Sequence, residues 1–169
     1  FTAPASTGNY TYNAAFADTP LYNGATNTSS VLVNRRNITI EPADLTSIPA
    51  TSTFTASALL RDGAITLSTR TLTFVFYSTN TAVTNGIGVA STTFLAPLST
   101  GTFSYKVTYP GDALYNPATS YANVGVILKP TVLEVLDVPD AVVGLKFTGT
   151  AKLRDIELGN ALVLSTKTI

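Results

Sequence analysis

Acidic side chains are the first residues in this chain whose type could carry chemistry. Asp62, Asp112 and Asp155 sit in turn sequences, and each could lend an oxygen to a Ca²⁺ ion, which gathers several carboxylate and carbonyl oxygens at once. Each turn holds a single carboxylate, however, and an Asp that bonds its own backbone supplies the same residue type. Glu134, Asp137 and Asp140 form the densest acidic group. Asp112, Asp137 and Asp140 are therefore the Ca²⁺ candidates, against the simpler expectation that no metal is bound. Glu41 and Asp44 invite comparison with the paired carboxylates of a glycoside hydrolase, which face a groove about 5–10 Å apart. Their return as Glu134 and Asp137 favours a repeated role at a strand end. Tyr22, Tyr115 and Tyr121 lie outside strict strand alternation and could stack on a sugar, although the equivalence of Tyr22 and Tyr115 favours packing beneath a turn.

Nucleophilic and metal chemistry find little else to use. His, Cys, Met and Trp are all absent. Without His or Cys there is no Ser-His or Cys-His dyad, no disulfide framework and no thiolate metal site. The many Ser residues lack a Ser-x-x-Lys context to activate one of them. Three glycosylation sequons, at Asn9, Asn27 and Asn37, are what eleven Asn residues among a quarter of Thr and Ser produce by chance. The expectation is a chain that is not an enzyme, with no catalytic residue and no cofactor.

Ten basic and ten acidic residues leave no net charge and no run of either sign, so the basic stripe of a nucleic-acid partner is missing. Apolar runs are too short to span a bilayer, and no basic-then-apolar segment opens the chain. The N-terminus, with no initiator Met, is read as processed or excised.

The elements that would position these residues are repeated. Phe1-Thr2-Ala3-Pro4-Ala5-Ser6-Thr7-Gly8 returns as Phe94-Leu95-Ala96-Pro97-Leu98-Ser99-Thr100-Gly101, an offset of 93 residues. At that offset Leu21-Tyr22-Asn23 meets Leu114-Tyr115-Asn116, and Val31 and Val33 meet Val124 and Val126. Phe54-Thr55, Ala58 and Leu60-Arg61-Asp62 likewise meet Phe147-Thr148, Ala151 and Leu153-Arg154-Asp155. A period this long is a whole small domain rather than a solenoid unit of about 20–50 residues. The predicted division is 1–36 as the back of one repeat, 37–130 as a complete repeat and 131–169 as the front of the next.

Within the complete repeat the apolar pattern has period two. Phe54, Ala56, Ala58 and Leu60 alternate with Thr and Ser, as do Leu72, Phe74 and Phe76, then Ala90, Thr92 and Phe94, then Phe103, Tyr105, Val107 and Tyr109. Ile38 and Ile40 open the unit, and Val124 and Val126 close it. Arg61-Asp62-Gly63, Asn85-Gly86, Pro110-Gly111-Asp112 and Asn116-Pro117 punctuate these runs with turn chemistry. No window carries a helical period. The pattern predicts an all-β chain of antiparallel β-sandwiches, with Phe54, Phe74, Phe103, Tyr105 and Val124 in the core.

Several segments resemble tandem bacterial and archaeal immunoglobulin-like domains of surface, adhesin or extracellular fibre proteins. Ala58-Leu59-Leu60-Arg61-Asp62-Gly63 is similar to an early strand and turn of such modules, followed by Leu72-Thr73-Phe74. Thr84-Asn85-Gly86-Ile87-Gly88-Val89-Ala90 is similar to their Asn-Gly turn, and Tyr109-Pro110-Gly111-Asp112-Ala113-Leu114-Tyr115 to their Gly-Asp-x-x-Tyr turn. Coverage is nearly all of 38–130, with the flanks matching as halves. Phe16-Ala17-Asp18-Thr19-Pro20 departs from that turn, lacking Gly and moving the Asp by one place. The resemblance implies tandem Ig-like domains in an extracellular, cell-surface structural protein such as a stalk, filament or surface layer, joined head to tail to other copies of the same repeat or subunit. The alternatives are an adhesin-type module binding glycan or protein, and an accessory domain of a large secreted enzyme.

Overall fold

The computed structural model describes residues 1–137, 140, 142–156 and 163–168, so part of the predicted segment 131–169 lies outside the described residues. Among the described residues every regular element is a strand. In chain order these are β1 (Gly8–Phe16), β2 (Ala25–Val33), β3 (Thr39–Pro42), β4 (Leu45–Pro49), β5 (Thr53–Asp62), β6 (Ile65–Thr66) and β7 (Thr71–Phe76). There follow β8 (Ser78–Val83), β9 (Val89–Leu95), β10 (Gly101–Tyr109), β11 (Ala118–Ile127), β12 (Thr131–Leu136), β13 (Thr150–Asp155) and β14 (Val163–Thr168). One sheet has the order β4-β11-β10-β7-β8. A second runs β3-β5-β6 with β9 on β5, and β1-β2 and β12-β13-β14 form two smaller sheets.

The chain divides into two compact units. The first comprises Phe1–Asp44, Thr55–Thr93 and Ser104–Ala122. In it the period-two pattern becomes a buried layer, because alternate side chains of a strand share one face. Ala56, Ala58 and Leu60 of β5 are buried, as are Leu72, Phe74 and Phe76 of β7 and Tyr105, Val107 and Tyr109 of β10. The Tyr105 hydroxyl donates to the carbonyls of Ala43 at 2.6 Å and Ser57 at 3.1 Å. A side chain of the β10 sheet thus reaches the backbone beside and within β5, so the two sheets face one another across a shared apolar layer. This is a β-sandwich-like, all-β arrangement.

The second unit comprises Leu45–Phe54, Phe94–Phe103 and Asn123–Ile169. Here β4 runs parallel to β11, pairing Leu45 with Val124 and Ile48 with Val126 across a bulge. Ser47, in that bulge, has a φ of 60°. The rings of Phe54 and Phe94 pack 6.0 Å apart, and Val124 and Val126 are buried. In the same unit β12 and β14 flank β13 in antiparallel register.

Of the predicted core residues, Phe54, Phe74, Tyr105 and Val124 are buried. Phe103 is half-buried instead. The β10–β7 ladder pairs Lys106 to Thr108 with Val75 to Thr73, and β7 ends at Phe76, so Phe103 lies beyond the stretch that β7 covers.

Candidate functional site

The turn after β10 gathers several polar partners around Asp112. Asp112 Oδ1 accepts hydrogen bonds from the backbone N–H groups of Leu114 and Tyr115, both at 2.8 Å. Its Oδ2 accepts from the Tyr109 hydroxyl at 2.8 Å and lies 3.5 Å from Arg70 Nε. The Asp112 N–H closes the turn on the Tyr115 carbonyl at 3.0 Å. Gly111 precedes it at a φ of +84°, and a Cβ there would come within 2.9 Å of the Pro117 nitrogen. Both the left-handed backbone and the close approach therefore demand Gly. The Arg70 guanidinium lies 5.8 Å from the centre of the Tyr115 ring, which is buried beneath it.

The protonation states follow from this arrangement. Desolvation raises the Asp112 carboxyl, but the bonds from Tyr109, Leu114 and Tyr115 and the Arg70 charge together hold it below the ordinary carboxylate value. Burial, then the bond to Asp112 and its charge, pushes the Tyr109 hydroxyl up to about 12. Tyr105 is likewise pushed up to about 12, first by burial and then by the Asp44 charge. A carboxylate engaged on both oxygens by donors and a cation is an organiser of its turn.

The first copy builds the same turn from other residues. Ninety-three positions earlier, Thr19 N–H donates to the Tyr22 carbonyl at 2.8 Å, and the Thr19 hydroxyl accepts from Tyr22 N–H at 3.1 Å. Thr19 thus does with a neutral hydroxyl what Asp112 does with a charge. Asp18 instead accepts the Gly24 N–H. The shifted Asp of Phe16-Ala17-Asp18-Thr19-Pro20 is explained: the cap has moved to its neighbour.

The other turn carboxylates are held by cations, again in duplicate. Arg36 Nη2 lies 2.8 Å from Asp62 Oδ2, and Lys129 Nζ lies 3.6 Å from Asp155 Oδ2. Both Asp residues are buried, and both pairs are related by the 93-residue offset. Arg61 pairs with Glu41 at 3.5 Å, and Arg154 with Glu134 at 2.8 Å, related in the same way. Asp62 Oδ2 makes no well-aligned hydrogen bond despite its proximity to Arg36, so that contact is ionic in character. The strand register repeats too. Ile40 pairs with Leu60 and Pro42 with Ala58 in β3–β5; Leu133 pairs with Leu153 and Val135 with Ala151 in β12–β13.

Asp137 and Asp140 are exposed. Among the described residues no three acidic groups come together as a metal would need. Glu41 is committed to Arg61, so Glu41 and Asp44 do not present two free carboxylates to a groove. Tyr22 and Tyr121 are exposed, while Tyr115 is not. Sequence reasoning missed the cations: Arg36 and Lys129 share the offset of Asp62 and Asp155, and that shared spacing was the available signal. Compared with known proteins, the chain matches no family model and no curated protein sequence.

Proposed function

We propose that residues 37–130 form an immunoglobulin-like β-sandwich in a head-to-tail row of such domains. In this reading the row is a non-enzymatic structural element of an extracellular stalk, filament or surface layer. The observation that carries it is the recurrence, 93 residues apart, of one strand register and the same two ion pairs. A catalytic surface has no need to reproduce its salt bridges at a fixed period. A load-bearing or space-filling array does, because each repeat must present its neighbour with the same geometry. The short passage Leu128-Lys129-Pro130 between Ile127 and the next strand supports a stiff junction, since Pro restricts the backbone there.

Antibodies raised against residues 37–130 test the reading on intact source cells, viewed by immunogold electron microscopy. The expected outcome is regular labelling of extended material outside the cell. Labelling only after permeabilisation would refute it.

A further inference from the structure

Between β8 and β9 the chain turns on Asn85-Gly86, one of its two Asn-Gly pairs, and the neighbouring backbone holds that turn firmly. Asn85 N–H donates to the Val89 carbonyl and Gly88 N–H to the Asn85 carbonyl, both at 2.9 Å, while Thr84 N–H reaches the Arg70 carbonyl at 2.8 Å. Gly88 is buried at a φ of +79°, with the Leu60 carbonyl 3.0 Å from where a Cβ would stand, which fixes the turn against β5. The Asn85 side chain folds back over this frame. Its Oδ1 accepts the N–H of Ile87 at 3.1 Å and of Val89 at 3.0 Å. Two fixed donors on one carbonyl oxygen are the arrangement that stabilises an oxyanion. Asn85, Gly86 and Ile87 are all exposed, and a Cβ on Gly86 would meet nothing within 4 Å.

We propose that this turn is a site of self-modification, at which the Gly86 nitrogen attacks Asn85 Cγ and the amide becomes an aspartyl or isoaspartyl residue. The inference goes beyond the structural reading above and does not depend on it. The bond from Ile87 N–H to Asn85 Oδ1 closes a ring across Gly86, which folds the side chain over that peptide and sets Cγ beside its nitrogen. Hydroxide takes the Gly86 amide proton, and the nitrogen pair forms the N–Cγ bond. The carbonyl pair moves onto Oδ1, where the Ile87 and Val89 N–H groups receive the charge. As that pair returns, the Cγ–Nδ2 bond breaks, and Nδ2 leaves as ammonia after taking a proton from water, which regenerates hydroxide. Water then opens the five-membered imide at either carbonyl. Opening at Cγ gives the aspartyl form. Opening at the main-chain carbon gives the isoaspartyl form, with one more carbon in the backbone. Water is the only reagent consumed.

The second pair, Asn23-Gly24, is built differently. Gly24 N–H donates to the Asp18 carboxylate, and the Phe16 carbonyl lies 2.9 Å from where a Gly24 Cβ would stand. That nitrogen must lose its proton beside an anion and in a crowded place, which raises the cost of attack. Asn116 precedes Pro117, which has no N–H to lose. The same two-residue motif is thus armed at one turn and held back at the other. Modification at Asn85 puts negative charge on a chain of zero net charge, and the isoaspartyl form lengthens the connection between β8 and β9.

Peptide mapping of the full chain by mass spectrometry, with isoaspartyl-specific methylation, tests this over a time course at body temperature and mildly alkaline pH. The folded protein should accumulate both products at Asn85 about tenfold faster than at Asn23, and faster than the same chain does at Asn85 in concentrated urea. In urea the two pairs should react alike, because the motif is then all that remains of either turn. Val89→Pro removes one donor to Oδ1 at the first residue of β9, where Pro fits, and should slow Asn85 about tenfold with circular dichroism unchanged. Asn85 reacting as fast in urea as in the folded chain, or faster, would overturn the proposal. So would a folded chain in which Asn23 keeps pace, or a folded Val89→Pro chain that reacts at the wild-type rate. Should Val89→Pro fail to fold, the wild-type comparison decides alone.

Discussion

At the Asp112 turn, three donors and a cation meet one carboxylate, and the energetic consequence can be read in acid. Its value in the folded chain lies below the ordinary 3.8. The group therefore contributes stability above its unfolded value, and that contribution is lost as pH falls through the lower folded value. Asp112→Asn should cost about 1–3 kcal/mol at neutral pH, since the amide keeps an acceptor for the Leu114 and Tyr115 N–H groups but turns an N–H toward the buried Tyr109 hydroxyl and Arg70. The same variant should flatten the acid limb of a urea-midpoint titration below pH 3.8, and an unchanged limb would show that another group governs it. Tyr105 and Tyr109 act at the other extreme. With folded values of about 12 against 10 when unfolded, they stabilise fully below pH 10 and lose that contribution as pH rises through 12. In a difference titration against Tyr105→Phe, the tyrosinate absorbance of that hydroxyl and loss of sheet circular dichroism should rise together in that window. Absorbance that climbs first, with the sheets intact, would show that hydroxyl to be accessible.

Among the elements, β5, β7 and β10 were legible because each buries one face and wets the other, which writes itself as alternation. Phe74 sits at the centre of that layer with no exposed surface. Phe74→Ala should cost about 3–5 kcal/mol in chemical denaturation, since the cavity cannot fully collapse in a close-packed core. A loss under 1 kcal/mol would mean the layer is loosely packed. The strands β4 and β8 were not legible. β8, Ser78-Thr79-Asn80-Thr81-Ala82-Val83, is an edge strand with no buried residue, so no apolar face marks it. β4 carries a bulge at Ser47 and ends in Pro49, and it pairs in parallel with a strand about eighty residues away. The strand expected around Phe147 begins later, at Thr150, leaving Phe147 outside the ladder.

For the whole molecule, the absence of thiol and imidazole ligands and the engagement of Asp62, Asp112 and Asp155 lead to one expectation about metals. Adding Ca²⁺ or a chelator should leave the melting temperature unchanged within about 1 °C, because a ligand that binds only the folded state would raise it by mass action. A rise of several degrees, reversed by chelation, would place a cation at a site these carboxylates help to build.

The 93-residue period, the all-β class and the alternating core of β5, β7 and β10 were determined by the sequence alone. Each is a one-dimensional regularity: a spacing, a period of two, or a turn residue with its own backbone preference. Tertiary structure decided which cation meets which carboxylate, how Thr19 replaces Asp112 as a cap, and which side chains are enclosed. Tyr12 and Tyr105 are the same residue type at equivalent places in the repeat, yet one is half exposed and the other fully enclosed. Their chemistry as side chains is identical. The difference lies in what stands across the sheet from each, and contacts between distant segments leave no mark at the residue itself.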